Sequence, residues 1–169
     1  MKDLAIALRA AQLFAHNAHN STTGCTFFSD HEFLGEAYPA YEEAYDGVVE
    51  RCIGLAIDID LCEITLAAAK AACKGISATS LTDSVNDFNN LYAMEKAICA
   101  CVDDAINGTS NGTQNFLQGI ADNSEMRQYK ICQRLKNVDG AKKSDALTMA
   151  RKRAAAAVAS TDMAEEEAE

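Results

Sequence analysis

Apolar residues recur every three or four positions along most of this chain, and that spacing predicts helices. Leu4, Leu8, Ala11, Ala15 and Ala18, widened by Leu13 and Phe14, mark one face of a helix A over about 3–22. Ser21-Thr22-Thr23-Gly24 stops it, with the glycine suited to the C′ position. Ser29 or Asp30 is the expected cap of helix B, which runs to about Ile57 with Phe27 and Phe28 at its mouth. Pro39 falls inside it. The pattern resumes at once through Tyr41, Tyr45, Val48 and Val49, so a single kinked helix is expected despite the lost hydrogen bond. Residues 58–83 form a long connection containing a short helix over roughly 63–74. A connection of that length lets the next helix run parallel to helix B. Helix C covers about 84–106 through Phe88, Leu91, Tyr92, Glu95, Ile98, Cys99, Val102 and Ala105. The turn Asn107-Gly108-Thr109-Ser110-Asn111-Gly112 precedes helix D, which follows Thr113 and extends to about Asn137. Its apolar face is thinner: Phe116, Leu117, Ile120, Ile131 and Leu135. No run alternates over a strand's length, so the expected class is all-α. Residues 1–137 form the bundle and 138–169 a charged extension, helical or partly disordered.

Composition narrows the function. The chain has 169 residues, 25 acids against 15 bases and a net charge of −10. Such a charge repels nucleic acid and anionic membranes and attracts cations. The extension holds five bases (Lys142, Lys143, Arg151, Lys152, Arg153) but also seven acids, so DNA binding through it is disfavoured. No apolar stretch reaches the roughly 20 residues of a membrane span. Met1-Lys2-Asp3-Leu4 does not read as a signal peptide, and a cytoplasmic location is expected. Seven cysteines are scattered without metal-type spacing, and buried thiols in a reducing compartment are the expectation. Asn20, Asn107 and Asn111 each begin an Asn-x-Ser/Thr match, read as turn chemistry rather than glycosylation.

Three histidines occur: His16, His19 and His31. His19 and His31 lie six residues either side of Cys25, at the A–B turn. An antiparallel hairpin therefore sets them at one height, as a metal site from two helices requires. His16 reads as a solvated residue, or as an additional ligand three residues from His19. Asp46 and Glu50, four apart, share a face of helix B and offer oxygen ligands to iron or another divalent cation. One chain cannot join the two halves: His31 and Asp46 are fifteen residues apart (46 minus 31), roughly 22 Å of helix at about 1.5 Å per residue. Two antiparallel copies of helix B, related by a two-fold axis near residues 39–40, bring His31 of one level with Asp46 and Glu50 of the other. Each such dimer carries two equal sites. Tyr38, Tyr41 and Tyr45 are expected to pack at that interface.

The stretch from His19 to Glu50, read as His19, Gly24, Phe27, His31, Asp46, Glu50, Arg51, resembles without a gap the iron-site region of the Dps family of miniferritins. Motif resemblance covers about residues 5–57. Beyond that it is topological, with the long B–C connection and the helix D opening Thr113-Gln114-Asn115-Phe116-Leu117. The resemblance implies a ferritin-like four-helix bundle with a short extra helix in the B–C connection. It also implies a dodecamer built from two-fold dimers, and oxidation of iron(II) by hydrogen peroxide or oxygen. It further implies storage of the mineral inside the shell. It makes His19, Asp46 and Glu50 first-site ligands of non-haem iron at the subunit interface, with His31 serving a second position. Four departures stand out. The acid expected four residues after His31 is Gly35, with Glu36 next to it as a possible but rotated substitute. The tryptophan expected after the first histidine is Asn20. The pore acid at the start of helix D is Asn115, which leaves Asp103, Asp104 or Asp122 for ion entry. The aromatic cluster of helix D is replaced by Gln128-Tyr129-Lys130-Ile131. No Glu-x-x-His is present for an intrasubunit di-iron site. The competing expectation is a shell of the same fold with little iron turnover.

Overall fold

The computed structural model describes residues 1–75 and 84–136. These contain five helices and no strand: α1 (Lys2–Ser21), α2 (Phe27–Gly54), α3 (Leu61–Gly75), α4 (Ser84–Ile106) and α5 (Asn111–Leu135). The expected extension at 138–169 lies outside the described residues.

α2 passes through Pro39 as one helix. Its packed face continues on both sides, with Leu34 and Ala37 before the proline and Tyr41, Val48 and Cys52 after it all buried. The proline is exposed, so burial of that stripe outweighs the missing hydrogen bond.

Several local expectations are corrected at the helix ends. Neither Ser29 nor Asp30 caps α2, whose N-cap is Thr26. Asp30 is buried in the first turn and receives Arg134 in a two-pronged pair, Nε to Oδ1 at 2.8 Å and Nη2 to Oδ2 at 2.9 Å. Gly24 does adopt the left-handed conformation (φ 87°), but two residues beyond the C-cap Thr22. α2 stops at Gly54, earlier than Ile57, and Ala56 takes a positive φ of 53°. α5 begins at Asn111 rather than after Thr113, because the Ser110 hydroxyl accepts from the Thr113 N–H. α3 starts where Asp60 Oδ1 accepts from the N–H groups of Cys62 (2.8 Å) and Glu63 (3.1 Å).

Cross-helix contacts set the directions. α1 and α2 are antiparallel, with His19 against His31 and Arg9 against Glu42. α2 and α4 are parallel: Phe33 meets Phe88 and, about two turns further on, Tyr41 meets Glu95. α4 and α5 are antiparallel, and α5 also runs against α2, from Arg134 at Asp30 to Phe116 at Gly47. α3 lies on α1 through Ile64, Ala68 and Ala72, one residue per turn and all buried. The core is Leu4, Leu8, Phe14, Leu34, Leu91, Ile98, Leu117 and Ile131. The parallel α2–α4 pair follows from the long connection, as the spacing predicts.

Tyr41 overturns one expectation. It is fully buried inside the bundle and not at an intersubunit surface, whereas Tyr38 and Tyr45 are half-buried. The thiols divide similarly: Cys52 and Cys99 are buried, but Cys25, Cys62 and Cys73 are exposed. Burial pushes the Cys52 and Cys101 thiols up.

Candidate metal centre

The α1–α2 hairpin brings His19 and His31 into contact, with ring centroids 3.8 Å apart and planes tilted by 35°. His19 Nδ1 lies 3.0 Å from the His31 carbonyl oxygen. A carbonyl only accepts, so Nδ1 carries a proton, and in the neutral ring the lone pair is then on Nε2. A backbone carbonyl holding one ring nitrogen while the other stays available is the usual support of a metal-binding histidine. Further rings surround the pair. Phe27 stands 4.9 Å from His31, and Tyr38 lies edge-on to His19 at 5.6 Å. His16 is exposed and stacks on Tyr38 at 4.4 Å.

Two turns beyond Pro39, Asp46 and Glu50 project from α2 into solvent. Among the described residues neither has a hydrogen bond or an ion pair. The adjacent cation does not quench them. Arg51 Nη1 donates to the Gly47 carbonyl (3.1 Å), and its guanidinium lies over the Phe116 ring at 3.5 Å. Gly47 makes this possible, since a Cβ there would stand 2.8 Å from Phe116 Cζ. Neither carboxylate is therefore occupied by that cation, and the oxygens of both face solvent.

Within one chain the two halves stay apart. Among the described residues no three His, Cys, Asp or Glu side chains gather into a cation site. Glu36 is exposed, and the residue next to His19 is Gly35. Asp103, Asp104 and Asp122 are likewise exposed. An open cleft of about 470 Å³ between α1, α3 and α4, lined largely by alanines with Ile6 and Met94, lies toward the far end of α1 from His19.

One polar network was visible in the sequence only as an anomaly, an acid in the apolar register of α4. Glu95 is fully buried. It accepts from the Tyr41 hydroxyl, from Arg127, and from Ser124 Oγ at 2.6 Å. The single Ser124 hydroxyl proton is shared with the Glu95 main-chain carbonyl, 3.0 Å away, and Cys99 Sγ donates to Ser124. Burial and the Glu95 charge raise Tyr41 well above the ordinary tyrosine value, with Arg127 opposing them. Burial works against the Arg127 charge, but Glu95 and Tyr41 outweigh it and hold the guanidinium higher still. Arg127 also lies 4.5 Å above the Tyr41 ring. A carboxylate so occupied has little left to offer a metal, so the network fastens α2, α4 and α5 together.

Comparison of the chain with protein-family models, with curated proteins and with solved structures finds no match.

Proposed function

We propose that this protein oxidises iron(II) at sites completed by two copies of the chain, as the resemblance to the Dps miniferritins implies. The observation that carries the reading is the His19–His31 contact, in which Nδ1 is tied to a carbonyl and Nε2 is left to a metal. Two further features support it. Asp46 and Glu50 are unpaired among the described residues. The α1–α2 hairpin and the parallel α2–α4 pair are the arrangement a ferritin-like bundle requires.

In this reading iron(II) is the substrate, bound between imidazole nitrogen of one chain and the two carboxylates of its two-fold mate. These are borderline and hard donors suited to iron in both oxidation states. His19, Asp46 and Glu50 hold the first position. His31 serves the second, where Glu36 is the nearest acid in sequence. Hydrogen peroxide or oxygen takes the electrons, and the oxidised iron is stored. The assembly is a dodecamer of two-fold dimers; twelve copies of 18.1 kDa make about 217 kDa. Large apolar side chains exposed between Ile53 (64 %) and Leu66 (73 %) supply surface for contacts between copies. DNA binding is disfavoured at physiological salt, because the acidic body repels the phosphate backbone.

The test is iron(II) oxidation with added peroxide, followed optically, comparing the wild type with Asp46→Ala/Glu50→Ala. Fast oxidation that the double variant loses supports the proposal. A wild-type rate no faster than the variant's favours the second reading, an assembling protein of this fold with little iron turnover. Gly35 in place of a second-position acid supports that alternative.

A further inference from the structure

α2 contains a glycine, Gly35, well inside a 28-residue helix. Interior glycine costs a helix about 1 kcal/mol relative to alanine. Its backbone offers no compensation, since the only glycines with positive φ are Gly24 and Gly108 among the described residues. Gly119 of α5 shows what an ordinary helical glycine looks like here: a Cβ built on it meets nothing within 4 Å. A Cβ on Gly35 meets the His19 ring, 3.3 Å from Cε1 and 3.4 Å from Nδ1. Those distances require the ring to retreat by a few tenths of an ångström.

The ring has few ways to retreat. Nδ1 is held 3.0 Å from the His31 carbonyl, the His31 ring sits at 3.8 Å, and Tyr38 stands edge-on at 5.6 Å. Proline at 39 removes the N–H that would serve the Gly35 carbonyl, so α2 is already weakened at this level. A side chain at 35 would press on the one imidazole whose tautomer the hairpin sets.

We propose that Gly35 is a positioning residue for His19: its missing side chain is the seat on which the imidazole rests with Nε2 presented to a metal. The inference rests on the reading of His19 as a ligand.

The experiment has one metal-free readout and one with Co²⁺ as a non-oxidising probe. Histidine-labelled full-length protein is sedimented and its ring nitrogens observed by solid-state NMR; three histidines keep the spectrum simple. In the wild type His19 shows the Nδ1–H tautomer. In Gly35→Ala that signature is lost or mixed, and Co²⁺ binds about tenfold more weakly or worse, the usual penalty for losing a ligand's support. Gly119→Ala leaves both readouts unchanged. Should Gly35→Ala fail to fold, Gly35→Ala/Pro39→Ala restores an N–H to the helix and is expected to show the same loss. An unchanged tautomer and Co²⁺ affinity in the Gly35 variant would overturn the inference. If the wild type binds no Co²⁺, the proposed function fails, and the metal-free tautomer comparison still decides the role of Gly35.

Discussion

Replacing Arg127 with methionine leaves a carboxylate with no accessible surface and no cation beside it. Glu95 is fully buried, and the Arg127 side chain retains 15 % of its exposure, so solvent screens the pair only slightly. Removing one partner of such a pair typically costs about 3–5 kcal/mol, because the remaining charge stays desolvated. Tyr41 and Ser124 still donate to Glu95, which places the expected loss near the lower end of that range. For a chain of this size each kcal/mol lowers the melting temperature by about 2–4 °C, so a fall of roughly 6–12 °C is expected for about 3 kcal/mol. The assay is thermal and urea unfolding by far-ultraviolet circular dichroism at fixed protein concentration. The reasoning makes a second, opposite demand. Tyr41→Phe/Glu95→Leu/Arg127→Met removes both charges and the Tyr41 hydroxyl, while Ser124 keeps the main-chain carbonyl of residue 95 as acceptor, and this apolar replacement of similar volume should lie within about 1–2 kcal/mol of the wild type. The single variant matching the wild type, or the triple variant being as unstable as the single, would refute the account of this network.

Other consequences are equally accessible. Tyr41 is held well above the ordinary value of 10.0, so the folded state keeps a proton that the unfolded state releases above about pH 10. Its contribution to stability is full below that pH and is lost as pH rises toward the folded-state value. Phenolate absorbance of Tyr41, obtained as wild type minus Tyr41→Phe, should therefore appear together with unfolding; titration in the native state would contradict this. Gly47→Ala drives a Cβ to 2.8 Å from the Phe116 ring and should cost about 1–3 kcal/mol in urea unfolding, whereas Gly119→Ala should stabilise by about 0.5–1 kcal/mol. Asp30→Ala strips Arg134 of its buried partner and should loosen the last turn of α5, read as faster amide exchange near Arg134. A gel shift with duplex DNA at physiological salt should show no complex.

The helices were legible because their apolar period is strong and their lengths exceed any strand's. α4 matches its expected limits, 84–106, and α3 at Leu61–Gly75 covers the short helix expected over roughly 63–74 inside the connection. The helix ends were less so. Asp30 has the chemistry of a cap, but a cap and a buried ion pair look alike until Arg134, over a hundred residues later, is seen beside it. Tyr41 failed as an interface residue for the opposite reason. Its polar tip suggests a half-wet surface, and only the carboxylate of Glu95 on a different helix allows that tip to be buried. The height match of His19 and His31 was readable from their equal distance to the turn, since a hairpin converts sequence symmetry into proximity. The seating of His19 on Gly35 was not readable: a missing side chain in sequence says nothing about which ring fills the space.

The central claim, a site shared between two chains, is tested most directly by mixing two inactive proteins. His19→Ala/His31→Ala and Asp46→Ala/Glu50→Ala are each expected to lose peroxide-driven iron(II) oxidation. Unfolded together and reassembled at equal amounts, they should pair at random, and about a quarter of the sites then draw intact histidines from one chain and intact carboxylates from its mate. Recovery of about a quarter of the wild-type rate is the predicted result. Mixed assemblies as inactive as either parent, while reassembled wild type regains its rate, would contradict it.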